Sequence, residues 1–149
     1  MRGYLLDTNI LSRFAPGKTP PTHAVRAWFR EQGEAGTLYL SAMSIAEIER
    51  GIRRLYRRGG IEQAGRLSVW LDTIFSTFDD RILAMDAVVA RIAGVLEDAA
   101  EEKGRHPGLG DVIIAATAQA HDLTVVTENI RHFKPLDVSV DFPAIFHAE

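Results

Sequence analysis

The chain has no cysteine, which removes disulfides, thiolate metal sites and cysteine nucleophiles from consideration and is compatible with a reducing cytosol. It has no apolar run near the roughly 20 residues that span a bilayer. Tyr4-Leu5-Leu6 ahead of Asp7 is also too short for a signal-peptide core, so a cytoplasmic protein with no membrane association is expected. There is no excess of positive charge. The formal net charge is −3, which argues at first against a nucleic-acid partner, because phosphate binding usually leaves a basic footprint. Nor is there close histidine spacing of the metal-ligand kind: His23, His106, His121, His132 and His147 are scattered. A zinc site is not expected, and each reads as a surface residue.

What is present is the material of one ordinary globular domain. The 149 residues are 46% hydrophobic and 25% charged, enough to bury a core and far from the composition of disordered chains. A single domain over residues 1–149 is expected. Charge is unevenly spread: Arg50, Arg53, Arg54, Arg57 and Arg58 follow one another with no acidic residue among them, a local basic stripe on an acidic protein.

Short apolar runs alternate with longer segments of helical period, the pattern of an α/β fold with a mostly parallel sheet covered by helices. Strands are expected at Gly3–Leu6, Thr37–Leu40, Arg81–Met85 and Thr124–Val126, with a weaker one at Val138–Val140, making four to five. Helices are expected after Asp7 through Leu11 to Phe14, over Thr22–Gln32, and from a cap at Ser41 or Ser44 to Gly59-Gly60. Further ones span Ile61–Phe75, Asp86–Lys103 and Asp111–Ala120. No repeat, low-complexity tract or linker interrupts them.

Asp7 follows the first apolar run, so it sits at the carboxyl end of a strand, where open α/β sheets place ligands. A helix cap is the alternative reading. Glu47 belongs to a helix whose apolar face is Ile45, Ile48, Ile52, Leu55 and Tyr56; the opposite face carries Glu47 with Arg50, Arg54, Arg57 and Arg58. That face suits a metal site opening onto a phosphate track, or an ordinary solvated surface with Glu47 paired to Arg50. Asp111 opens a helix apolar nearly all round, hence buried, and serves either as cap or as a rigidly held ligand. Thr127-Glu128-Asn129 forms a second polar cluster after an apolar strand.

If the first and fourth strands are parallel neighbours, Asp7, Glu47, Asp111 and the Thr127 to Asn129 turn converge on one pocket. Clustered carboxylates do not all stay ionised without a cation, and an all-oxygen set selects Mg²⁺ or Mn²⁺. The corresponding chemistry is metal-assisted phosphodiester hydrolysis without a protein nucleophile.

Taken together, Leu5-Leu6-Asp7-Thr8-Asn9-Ile10-Leu11-Ser12, Ser44-Ile45-Ala46-Glu47-Ile48 with Gly51, Asp111-Val112-Ile113-Ile114-Ala115-Ala116-Thr117-Ala118, and Thr124-Val125-Val126-Thr127-Glu128-Asn129 with Phe133 resemble the four motifs of PIN-domain proteins. Order and spacing agree across essentially the whole chain. Length and the long central helices are most similar to the VapC toxins, in particular the FitB-like branch. The resemblance implies a PIN-like (Rossmann-like) fold and a metal-dependent endoribonuclease, the toxin of a type II toxin-antitoxin pair. It implies metal ligation by Asp7, Glu47 and Asp111, and it puts Thr127 and Asn129 in the catalytic centre. Thr8 and Asn9 support that centre, with Asn9 bracing the turn. Where the family often has a fourth aspartate, this chain has Asn129, which brings no charge; Glu128 is the neighbouring alternative. A homodimer and a VapB-type antitoxin are implied as partners beside the RNA substrate, with Arg50, Arg54, Arg57 and Arg58 serving RNA, antitoxin or both.

Two rivals remain. Aspartyl-phosphate hydrolases also begin with an aspartate after a buried strand, but they carry a second aspartate where this chain has Asn9. A catalytically weak PIN fold that binds RNA or a partner is favoured by Asn129 and opposed by the intact Asp7, Glu47 and Asp111.

Overall fold

The computed structural model describes residues 2–148. Strand β1 (Tyr4–Leu6) is followed by α1 (Thr8–Leu11), a 3₁₀ turn (Ser12–Phe14) and α2 (His23–Glu34). Strand β2 (Leu38–Ser41) leads into α3 (Ala42–Arg57), α4 (Ile61–Phe78) and β3 (Ile82–Leu83). Helices α5 (Ala87–Glu102) and α6 (Leu109–Ala120) precede β4 (Thr124–Val126), α7 (Ile130–Phe133) and β5 (Val140–Asp141).

The five strands pair in the order β3-β2-β1-β4-β5, and every pair is parallel. The α/β expectation holds, with a sheet parallel throughout rather than mostly so. Such a sheet is buried on both faces, and alternation along the strands divides its side chains. Leu5 and Val125 pack with Val89, Leu96 and the apolar run of α6. Leu6 and Val126, one residue on, pack on the other face with Ile10, Val25, Ile48, Ile52 and Leu71. Each fully buried Leu, Ile or Val contributes about 1.5–3 kcal/mol, and a one-residue slip of β1 would exchange its two core faces.

The crossovers leave β1 toward β2 on one side and arrive at β4 on the other, so the strand order reverses between β1 and β4. Their carboxyl ends, at Leu6 and Val126, are register partners. That is the crevice where sheets of this kind hold ligands.

Several boundaries differ from expectation. Helix α4 runs one turn past Phe75 because Ile74 and Phe78 extend its buried face. The third strand shortens to Ile82–Leu83 because Arg81 closes a 3₁₀ turn. The last strand shifts to Val140–Asp141, where it pairs Val125 and Val126. Ser41, not Ser44, caps α3, its hydroxyl accepting from the Met43 N–H at 3.0 Å. Tyr56, placed with the apolar face of α3, is 37% exposed, since the end of that helix projects beyond the core. Among the described residues no helix is long and apolar enough to cross a membrane.

Candidate active site

Asp7 leaves β1 as the N-cap of α1. Its backbone N–H donates to the Val126 carbonyl at 2.9 Å, tying the ends of β1 and β4 together. The residue is 5% exposed, and each carboxylate oxygen accepts one hydrogen bond. Oδ1 accepts from the Thr8 N–H at 2.8 Å, and Oδ2 accepts from the Thr127 hydroxyl at 2.7 Å. The capping reading holds, and the same carboxylate faces the crevice between β1 and β4. Thr127 is fully buried, and its Oγ1 also accepts from the Asn129 N–H at 2.9 Å, closing the turn after β4. The Glu128 N–H donates to Asn9 Oδ1 at 3.4 Å, a contact between the two turns.

Glu47 reaches the same crevice from α3. The Thr8 hydroxyl lies 3.2 Å from Glu47 Oε1 and 2.9 Å from Ser44 Oγ; its single proton serves one of them at a time. Asp111 comes from α6, but it does not open that helix. The helix starts at Leu109 with Gly108 as N-cap, so Asp111 is the third residue, in the first turn, where the dipole favours a carboxylate without a capping bond. Its Oδ2 is 3.2 Å from His132 Nδ1.

Two of the acids, Asp7 and Glu47, are shifted by their surroundings. Burial pushes the Asp7 carboxyl above the ordinary aspartate range; the hydrogen bonds from Thr127 and Thr8 oppose that, and the Asp111 charge adds to it. Glu47 is likewise raised, first by burial, with Thr8 opposing and the charges of Asp7 and Asp111 adding. Arg50 counteracts in part. Among the described residues no group of three His, Cys, Asp or Glu is arranged to hold a metal ion as it stands. The donor chemistry is nonetheless of the kind a hard divalent cation takes: carboxylates borne on three elements, with each Asp7 oxygen keeping a lone pair beyond its hydrogen bond.

Asn129 is exposed and enters the network through its backbone. Glu128, the alternative fourth acid, pairs instead with Arg13 Nε. Arg50, Arg54, Arg57 and Arg58 are exposed along α3, while Arg53 pairs with Glu49 at 3.1 Å. Three residues escaped the sequence reading as parts of the centre: Ser44, Gly110 and His132. His132 is a surface residue as expected, 58% exposed, yet it is the partner of Asp111. Gly110 abuts Glu47, since a Cβ there would meet Glu47 Oε1 at 3.4 Å. Its place directly before Asp111 was the one available signal; nothing in spacing linked His132 to Asp111.

Residues 4–137 match the PIN domain family. The chain belongs to the PIN-domain family. Among its PIN relatives, Toxin FitB of Neisseria gonorrhoeae is 34% identical over 140 residues, 93% of this chain and 96% of FitB. Ribonuclease VapC10 of Mycobacterium tuberculosis is 32% identical over 129 residues, 87% of this chain and 84% of VapC10. The crystal structure of FitAcB from Neisseria gonorrhoeae matches this PIN domain with a TM-score of 0.77 at 34% identity, covering 92% of this chain and 95% of that one. A toxin-antitoxin complex from Klebsiella pneumoniae matches with a TM-score of 0.63 at 25% identity, covering 95% and 98%.

Proposed function

We propose that this PIN domain is a VapC-type endoribonuclease, dependent on Mg²⁺ or Mn²⁺, and the toxin of a type II toxin-antitoxin pair. The observation that carries the reading is the placement of Asp7, Glu47 and Asp111 around the β1/β4 crevice, with Asp7 held by Thr8 and Thr127 and Glu47 by Thr8, close enough that Asp111 raises both other carboxyls. The relatives named as a ribonuclease and a toxin support it across nearly the full chain, as does a matching fold in a toxin-antitoxin complex.

Asp7, Glu47 and Asp111 would hold the cation. When bound, it supplies charge neutralisation and water activation for phosphodiester hydrolysis. The protein's own part is orientation. Thr8 and Thr127 fix both oxygens of Asp7, Thr8 steadies Glu47, and His132 holds one oxygen of Asp111. Asn9 and the Asn129 backbone lock the turns that carry these groups. Arg50, Arg54, Arg57 and Arg58 line α3 beyond Glu47, where guanidinium forks suit phosphate oxygens of RNA or carboxylates of an antitoxin. On this reading residues 1–149 act as one domain in the cytoplasm, and a homodimer and a VapB-type antitoxin are its protein partners.

A second reading, RNA or partner binding without cleavage, is favoured by Asn129 together with the engagement of Glu128 by Arg13, which leaves no fourth acid in the turn after β4. RNA cleavage by the purified chain in magnesium, manganese or EDTA, beside an Asp7→Asn control, separates the two. Metal-dependent cutting that the control lacks supports the nuclease; no cutting of any RNA in either metal favours the binding protein.

A further inference from the structure

A cavity of 390 Å³ opens beside Asp111. One wall is the α5–α6 connection, with Arg105, His106 and Pro107; the other is α7 and its end, with Arg131, His132 and Pro135. On the far flank of α7 a second cavity of 480 Å³ is lined by Asn129, Arg131 and His132. Arg131 and His132 therefore stand on a ridge shared by two hollows, one reaching Asp111 and the other the turn after β4.

The charge in the first cavity is lopsided. Two arginines and two histidines face the single carboxylate of Asp111, and one oxygen of that carboxylate is already taken by His132. Among the described residues Arg105 and Arg131 have neither an ion pair nor a side-chain hydrogen bond, so both guanidinium forks are available to an anion. A planar fork matches phosphate oxygens two at a time. The prolines add apolar surface and His106 a ring, the kind of wall on which an unstacked base packs. The volume lies at the small end of the roughly 300–1,000 Å³ typical of small-molecule sites, room for one nucleotide unit and not for a folded segment.

We infer that this cavity is a subsite for one nucleotide of single-stranded RNA beside the bond to be cut, its phosphate held by Arg105 and Arg131 and its base packed on Pro107 and Pro135. The inference rests on the ribonuclease reading and adds to it the place where flanking RNA is gripped.

The test is fluorescence anisotropy with a labelled single-stranded RNA of mixed sequence, about 12 nucleotides long and so within the site sizes of single-strand binders. It is titrated in magnesium at several salt concentrations against the full-length Asp7→Asn chain and against the same chain carrying Arg105→Ala and Arg131→Ala. The double substitution is expected to weaken binding about tenfold and to flatten the salt dependence by about 0.7 in log–log slope for each phosphate contact removed. Arg105→Lys with Arg131→Lys should restore the slope but only part of the affinity, because the charge returns without the fork. Equal affinity and slope in the Asp7→Asn chain and the double-alanine form overturn the subsite and leave the ribonuclease reading intact. No RNA binding by the Asp7→Asn chain overturns both. Loss of binding to polyglutamate with RNA binding unchanged overturns the subsite in favour of an acidic protein ligand.

Discussion

The Thr127 hydroxyl donates to Asp7 Oδ2 at 2.7 Å across 120 residues of sequence, joining the turns that follow two adjacent parallel strands. It is the bond through which the late part of the chain controls an early acid. Thr127→Val removes the donor and the acceptor for the Asn129 N–H together, in a fully buried place. The expected cost is about 1–3 kcal/mol of folding stability, with Thr127→Ser close to the parent. Urea denaturation measures it, and coincident midpoints for the valine and parent proteins would deny the bond its structural role.

Asp7 and Glu47 impose an inverted pH dependence. Both carboxyls are raised in the folded protein, first by burial, so the folded state keeps their protons at pH values where the unfolded chain has lost them. Without divalent cation, their contribution to stability is largest below the ordinary carboxyl range near about 4. It declines as pH rises through the raised folded values and is flat above them. Asp7→Asn removes one share of that decline and should melt higher than the parent at neutral pH in EDTA. Melting temperature followed from pH 3 to 8 in both proteins decides this; parallel curves would refute it.

Divalent cation should reverse that balance. At about 100-fold excess over its dissociation constant, magnesium bound only to the folded state adds about 2.7 kcal/mol, roughly 5–10 °C in a domain of this size. Asp111→Asn should shift much less. A thermal-shift titration with magnesium, with calcium as a non-catalytic comparison, checks the assignment, and identical shifts in parent and variant would remove Asp111 from the ligand set.

Gly110→Ala separates fold from site. Alanine is the better helix former, so stability should hold or rise by a few tenths of a kcal/mol, up to about 1 kcal/mol. The new methyl meets Glu47 Oε1 at 3.4 Å, placing an apolar group in contact with that carboxylate oxygen. Cleavage is expected to fall severalfold with an unchanged or raised melting temperature; full activity would show that the glycine leaves Glu47 indifferent.

The strands at Tyr4–Leu6 and Thr124–Val126 were legible because each is an apolar run ending in a polar turn, and that same boundary exposed Asp7 and Thr127. Glu47 was legible from the helical period of α3. The start of α6 was not: Leu109 is 61% exposed and Gly110 is a poor helix former, so both resembled loop until the first turn was seen to pack beside Glu47. The Asp111–His132 contact was invisible for a different reason. It arises from the placing of α7 against the first turn of α6, which no local pattern encodes. Ser41 and Ser44 were equal candidates for the cap of α3, and local pattern could not divide them: Ser41 does that work and Ser44 turns to Thr8. The shortened third strand and the shifted fifth lie at the sheet margins, where the pairing partner, rather than propensity, sets the ends.

The central strand β1 is made well before its neighbour β4, with two strands and most of the helices between them. During synthesis, every nascent chain that ends before residue 111 lacks an acid, and every one that ends before residue 127 leaves Asp7 without its hydroxyl partner and β1 open along one edge. On the proposed ribonuclease reading, the message being translated meets no complete centre until the turn after β4 has been made.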